Sequence, residues 1–341
     1  MLTELYCGQF LKAVALGMTS FVLPLSNTMS FRTANTSDRK CRFGLISDVH
    51  KDVMHDADDR LCAFIQRVQA EQVDFIMQMG DFCIPIPENQ CFMSIWNRFR
   101  GPKYHVIGNH DTDGDERNRI NGAYAFTPEE TVEYWGIQER YYSFDLRGIH
   151  FIVLDGNDKA ENPAPGYRRY IGSDQVKWLK QDLTDTDFPV MLFIHQSLER
   201  PGGIENQEEI RTLFESASKE AGYPKVLVCF SGHHHRDYVR RINGIIYPQI
   251  NSASYYWMGG DYIHVRYSEE IDKKYPYIKY TAPYRDPLYA IVTVDLEMGI
   301  MKIDGLESEF VGPAPWELGG TKESWEHISL RPAISDWSMP I

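Results

Sequence analysis

The chain has 341 residues, 24% of them charged and 43% hydrophobic, ordinary proportions for a soluble globular protein long enough to bury a large core. Its formal net charge of −13 and the lack of a long basic block argue against stable binding to nucleic-acid backbone, which draws affinity from counterions released to clustered lysine and arginine. Six cysteines without a C-x-x-C pair indicate neither a disulfide framework nor a zinc ribbon; a single bridge such as Cys83 to Cys91 stays open beside the reading of buried free thiols.

The first apolar run, over 9–25, is too short and too interrupted for a membrane span. It fits the apolar region of a secretory signal, and Asn27-Thr28-Met29-Ser30 supply the polar stretch after it. Residues 9–17 are similar to the latter half of a twin-arginine export signal, although Cys7 and Gly8 stand where basic residues belong and Glu4 weakens the positive start. The expectation is a signal-like segment over 1–30 and an exported, periplasmic or secreted protein. The alternative is an uncleaved N-terminal helix on a cytoplasmic one.

From Lys40 strand and helix patterns alternate. A strand over 42–47 ends in Asp48-Val49-His50, and a helix over 56–72 follows, with Leu61, Phe64, Ile65 and Val68 at near-helical spacing and Asp56, Asp58 and Asp59 at its start, where the helix dipole favours acids. A strand over 73–79 ends in Gly80-Asp81, a helix spans 88–99, and a strand over 103–107 ends in Gly108-Asn109-His110-Asp111. After a helix over 127–135, Arg147-Gly148 joins strands over 141–146 and 149–154 into a hairpin. A helix over 173–183 opens on Ser173, a good cap, and a strand over 189–194 delivers His195.

A helix over 205–221, closed by Gly222, leads to the apolar run 225–229 and then to Phe230-Ser231-Gly232-His233-His234-His235. Residues two apart on an extended backbone face the same way, so His233 and His235 can share a site while His234 turns from it. Asn243-Gly244 marks a second hairpin between 238–242 and 245–250, and late strands span 289–296 and 300–303. Two stretches, 155–172 and 272–287, read as long functional loops. The first carries Arg168 and Arg169, which could meet a second phosphate or simply face solvent. Residues 307–341, with Trp316, Trp325 and Trp337, read as a tail packed on the domain over 40–306.

Five apolar runs thus stop at residues of metal-binding or acid-base type, and six of the eleven histidines lie where those runs stop. The other five, His55, His105, His150, His264 and His327, have nothing tying them to a site.

The series Asp48-x-His50, Gly80-Asp81, Gly108-Asn109-His110-Asp111, His195 and Gly232-His233-x-His235 resembles the calcineurin-like metallophosphoesterase superfamily, all five of whose motifs occur in order over residues 42–237. The resemblance implies an α/β fold: a four-layer αββα sandwich of two mixed sheets flanked by helices, with a two-metal site at the strand ends. It implies that Asp48, His50, Asp81 and His235 hold one ion, that Asp81 bridges to a second, and that Asn109, His195 and His233 complete the second. A bridging hydroxide then attacks a small phosphodiester or phosphomonoester. His110 would sit beside the phosphoryl group as catalyst, with Asp111 orienting it. Manganese, iron and zinc all suit such oxygen and nitrogen donors.

In the purple acid phosphatase branch a glycine stands where His50 is, and a tyrosine three positions past the bridging aspartate, where this chain has Ile84. The D-x-H and G-N-H-D forms are more similar to the cyclic-nucleotide and glycerophosphodiester phosphodiesterase branch. A non-catalytic interaction scaffold on the same fold is the rival reading. The aromatics of 251–257 either line the pocket and stack on a base or sugar, or pack in the core.

Overall fold

A computed structural model of the protein describes residues 39–113, 126–319, 321–322, 325 and 329–341; the signal-like segment expected over 1–30 lies outside the described residues. Two six-stranded mixed sheets organise the chain. In the first, β1 (Lys40–Ile46), β2 (Phe75–Gln78) and β3 (Lys103–His105) run parallel, and β12 (Ala290–Asp295), β13 (Ile300–Asp304) and β16 (Trp337–Pro340) extend it antiparallel beyond β1. In the second, β5 (Ile149–Val153), β6 (Val190–Phe193), β7 (Val226–Phe230) and β9 (Ile245–Gln249) are parallel, edged by the antiparallel β4 (Tyr142–Leu146) and β8 (Tyr238–Ile242).

Alternation along the strands decides the layering. Phe43, Phe75 and Met77 of the first sheet meet Phe151, Met191 and Phe193 of the second in a core between the sheets. Register places Phe43 opposite Phe75, and their rings stack at 4.7 Å while Phe151, Phe193 and Phe230 meet Phe43 edge-on at 5.8 to 6.0 Å. The other faces receive helices. Ile46 and Ile76 pack under α1 (Ala57–Ala70) and α2 (Gln90–Trp96), and Ile152 and Leu192 under α4 (Ser173–Asp185) and α5 (Gln207–Ala221). Helix, sheet, sheet, helix is the expected four-layer sandwich.

Both expected hairpins form, each turning through two left-handed residues, Arg147-Gly148 and Asn243-Gly244. The helix expected over 88–99 opens as a 3-10 turn at Pro87–Asn89, and α3 (Pro128–Trp135) begins with a full capping box between Thr127 and Glu130. The stretch 272–287 is not a plain loop: the end of α6 (Glu269–Lys274), a 3-10 turn at Ile278–Tyr280 and β11 (Thr281–Pro283) occupy it, and β11 pairs with β10 (Tyr255–Trp257). In the C-terminal stretch α7 (Pro315–Leu318) follows β14 (Leu306–Glu307), which pairs with β15 (Ala333–Ile334). Cys83 and Cys91 form no bridge; Cys41, Cys83 and Cys229 are buried thiols and Cys91 is exposed.

His150 of β5 has an explicit structural use. Its Nδ1 lies 2.6 Å from Asp145 Oδ1 on the paired strand and its Nε2 2.9 Å from Asp182 Oδ2 on α4, clamping helix to sheet. Burial opposes its charged form, but these two carboxylates outweigh burial and raise its pKa. A pKa raised by folding adds stability below the unfolded value of about 6.5, and that contribution disappears as pH climbs through the folded value. His150→Gln is therefore expected to cost about 1–2 kcal/mol near pH 5.5, after allowance for solvent around Asp145, and less near pH 9. Urea unfolding at the two pH values checks this; an equal loss at both would refute the charged clamp.

Candidate metal centre

Every one of the five motif segments leaves the C-terminal end of a parallel strand, where loops of neighbouring strands converge. The loops after β1 and β2 continue their ladder, with Asp48 N–H donating to Gly80 O at 3.0 Å and His50 N–H to Asp81 O at 2.9 Å. They are not extended. Nine described non-glycine residues have positive φ, and five of them are Asp48, His50, Asp81, His233 and His235, between 50° and 75°. Each left-handed residue costs on the order of 1 kcal/mol, so their clustering marks a backbone bent to aim side chains. Left-handed turns, rather than an extended i, i+2 alternation, orient His233 and His235.

Glycine is required beside them. Gly80 has φ of 98°, and a Cβ there would lie 2.5 Å from His195 Nδ1. At Gly108 a Cβ would run into Asp81. The G-D and G-N pairs thus let two loops and His195 close on one point.

Two groups of ligand-type atoms result, each within a 4.8 Å span: Asp48, His50 and His235, and Asp81, His195 and His233. His50 Nε2 is 3.2 Å from His235 Nε2, which is 3.1 Å from Asp48 Oδ1. Asp81 Oδ2 is 3.1 Å from His195 Nε2 and 3.7 Å from His50 Nε2, so it stands between the groups. His234 belongs to neither; its Nε2 lies 2.8 Å from Ser197 Oγ.

The donors fit cations. His195 Nδ1 lies 2.8 Å from Met79 O, which can only accept, so Nδ1 carries a proton and Nε2 is the nitrogen left to ligate; burial opposes the ring's charge, but Asp81 and Asp48 outweigh burial and raise its pKa to about 10, so Nε2 would give up its proton to a cation. Both Oδ1 and Nδ2 of the wholly buried Asn109 are without a hydrogen-bond partner. Native proteins seldom leave such atoms orphaned, and a metal ion is one partner that satisfies them. Burial alone would raise Asp81, but His195 and His110 hold its carboxyl well below the usual range. Burial alone would likewise raise Asp48, yet His235 and His195 hold it down at about 2. Both oxygens are therefore anionic and able to ligate. Burial pushes His50 and His233 down to about 3, keeping both rings neutral.

Supports that the motif pattern does not include keep this geometry. Ser252 Oγ donates to Asp48 O at 2.8 Å and Ser254 Oγ to Val49 O at 2.7 Å. Their loop is pinned by the buried Arg60 of α1, which donates to Ala253 O at 3.0 Å and Tyr284 O at 2.6 Å. Gln78 Oε1 accepts from Gly80 N at 2.7 Å. Tyr255 stacks on His50 at 4.9 Å and meets His235 edge-on at 5.0 Å.

One expectation is corrected. Asp111 does not orient His110; its two oxygens accept from four backbone N–H groups, those of Asp81 at 2.9 Å, Phe82 at 2.6 Å, Cys83 at 3.0 Å and Gly108 at 2.7 Å. It is a buried staple between the two glycine loops. The partner of His110 is Asp113, whose Oδ2 lies 2.5 Å from Nδ1 across a 3-10 turn. Burial opposes the imidazolium at His110, but Asp81 and Asp113 outweigh burial and raise its pKa to about 9. The sequence signal for Asp113 was its i+3 spacing from His110, obscured by the acid directly following the histidine.

Residues 41–237 match the family model described as calcineurin-like phosphoesterase. The chain belongs to that family. No curated protein matches the sequence. Among solved structures, a dimetal phosphatase from Danio rerio is 15% identical with a TM-score of 0.54, the match covering 80% of this chain and 98% of that one, and it shares the phosphoesterase fold. The anchor in the inner membrane complex of Plasmodium (14% identical, TM-score 0.45, 87% of this chain and 97% of that) and an archaeal phosphodiesterase (12%, 0.37, 78% and 99%) are more distant.

In this phosphoesterase the ligand groups open into a cavity of about 640 Å³ that also reaches His110, Asp113 and the aromatics of β10. Arg168 and Arg169 are not among its lining residues, and Arg169 pairs with Glu205 at 3.9 Å. No helix of the described residues is long and apolar enough to cross a membrane.

Proposed function

We propose that the protein hydrolyses a small phosphodiester or phosphomonoester at two cations, drawn from manganese, iron and zinc. Asp48, His50 and His235 would hold one ion, Asp81 would be shared, and Asn109, His195 and His233 would complete the second. When bound, such a pair supplies Lewis-acid charge to the phosphoryl oxygens and acidifies water enough to make it a nucleophile near neutral pH.

What the chain itself contributes can be stated atom by atom. Met79 O fixes the His195 tautomer, and Asp113 occupies Nδ1 of His110 so that Nε2 is left to donate to the departing ester oxygen. Asp111 keeps the two glycine loops in register. The observation that carries the reading is Asp81 Oδ2, 3.1 Å from one histidine group and 3.7 Å from the other.

The test is reconstitution. Purified protein stripped with a chelator and reloaded separately with manganese, iron or zinc is expected to turn over at least one of a set of monoesters, diesters and cyclic nucleotides. No turnover by fully metallated protein would favour a binding scaffold instead.

A further inference from the structure

We propose that the part of the cavity built by residues 256–277 is a stacking subsite, and that the ester it serves carries a flat aromatic ring. This deepens the phosphoesterase reading and rests on it, naming the portion of the ester that the metal ligands do not hold.

Beyond the ligands, the cavity is lined by Tyr256, Trp257, Pro276 and Tyr277, with Tyr167 and Lys274. Trp257 is the informative member. One side of its indole stacks on Tyr280 at 5.7 Å and 16°, and Tyr277 backs Tyr280 at 6.3 Å. Pairing of β10 with β11 holds it there, yet it remains 46% exposed. A braced, half-exposed indole lining a cavity suits a second flat ring, which gains from offset stacking as well as from burial. Tyr167, on the 155–172 loop, overhangs the other end, its ring edge-on to His110 at 5.3 Å and to His233 at 5.6 Å.

Among the described lining residues Lys274 is the only lysine or arginine, and Asp52 and Asp113 face the same space. The volume, about 640 Å³, suits a molecule of ordinary ligand size. The ring's source, a nucleobase or a simple aryl group, is left to experiment.

Metal-loaded full-length protein is offered four diesters that share hexafluoroisopropanol, a non-aromatic alcohol whose release is followed by fluorine NMR, as leaving group and carry thymidine, phenyl, hexyl or methyl on the other oxygen. The thymidine or phenyl ester is expected to exceed the methyl ester in kcat/KM by about tenfold or more, through KM, and Trp257→Ala to bring that ratio within about threefold of one. Which of the two ring esters is preferred identifies the source. Trp337→Ala, on the edge strand β16, serves as control and changes neither rate. A hexyl ester as good as the phenyl ester, or a preference that survives Trp257→Ala, overturns the subsite.

A readout without turnover separates the two readings: a phosphonate analogue of thymidine monophosphate should quench tryptophan fluorescence saturably in the wild type and not in Trp257→Ala. Saturable quenching without hydrolysis of any ester sinks the phosphoesterase reading and keeps the subsite. Hydrolysis of all four esters at equal efficiency, without quenching, does the reverse.

Discussion

Asp81→Asn is expected to lower kcat/KM by about a thousandfold or more while leaving the fold intact. The reason lies in its position: Oδ2 is 3.1 Å from His195 Nε2 and 3.7 Å from His50 Nε2, so the same carboxylate serves both groups. An amide keeps the shape and loses the negative charge that would let one oxygen bind two cations. Loss of several kcal/mol of charge stabilisation, at about 1.4 kcal/mol per tenfold, gives that magnitude. Elemental analysis should show the metal content falling from two ions per chain toward one. With chelator present, the midpoint of unfolding should fall, because a carboxyl held well below its usual range stabilises the fold and its loss leaves the buried His195 without its closest acid. Activity within tenfold of wild type, with two ions still bound, would show that Asp81 does not bridge.

The reasons that the ligand set was legible in the sequence are local. Each ligand follows a short apolar run that becomes a parallel strand, and parallel strands put their C-terminal ends on one side of a sheet. β1, β2 and β3 do this in one sheet, β6 and β7 in the other, and the packed sheets bring the five ends together. Glycine at positions 80 and 108 is likewise readable once a second loop is known to pass there, though the loop's identity is not. What remained hidden depends on long-range pairing. Nothing near Arg60 announces that it will hold Ala253 and Tyr284, 193 and 224 residues away. The short β10, β14 and β15 lack a period to detect, since two or three residues cannot show alternation. The left-handed backbone at Asp48, His50 and His235 was invisible for a similar reason: propensity disfavours it, and only the assembled site makes it worthwhile.

His110→Ala should cost about 10²- to 10⁴-fold in kcat on an alkyl phosphate ester and far less on a p-nitrophenyl ester, whose leaving oxygen departs without a proton. That contrast also separates the two neighbouring acids. Asp113 touches the ring, with Oδ2 2.5 Å from Nδ1, so Asp113→Asn should lower the alkyl rate by about tenfold or more and leave the p-nitrophenyl rate nearly unchanged. Asp111 touches no ring; it fastens the N–H groups of Asp81, Phe82, Cys83 and Gly108. Asp111→Asn turns one of those acceptors into a donor facing donors. It is therefore expected to slow both esters equally, lower the metal content and reduce stability by about 2–3 kcal/mol. A leaving-group dependence in Asp111→Asn and none in Asp113→Asn would exchange the two assignments, and none in His110→Ala would remove His110 from proton transfer altogether.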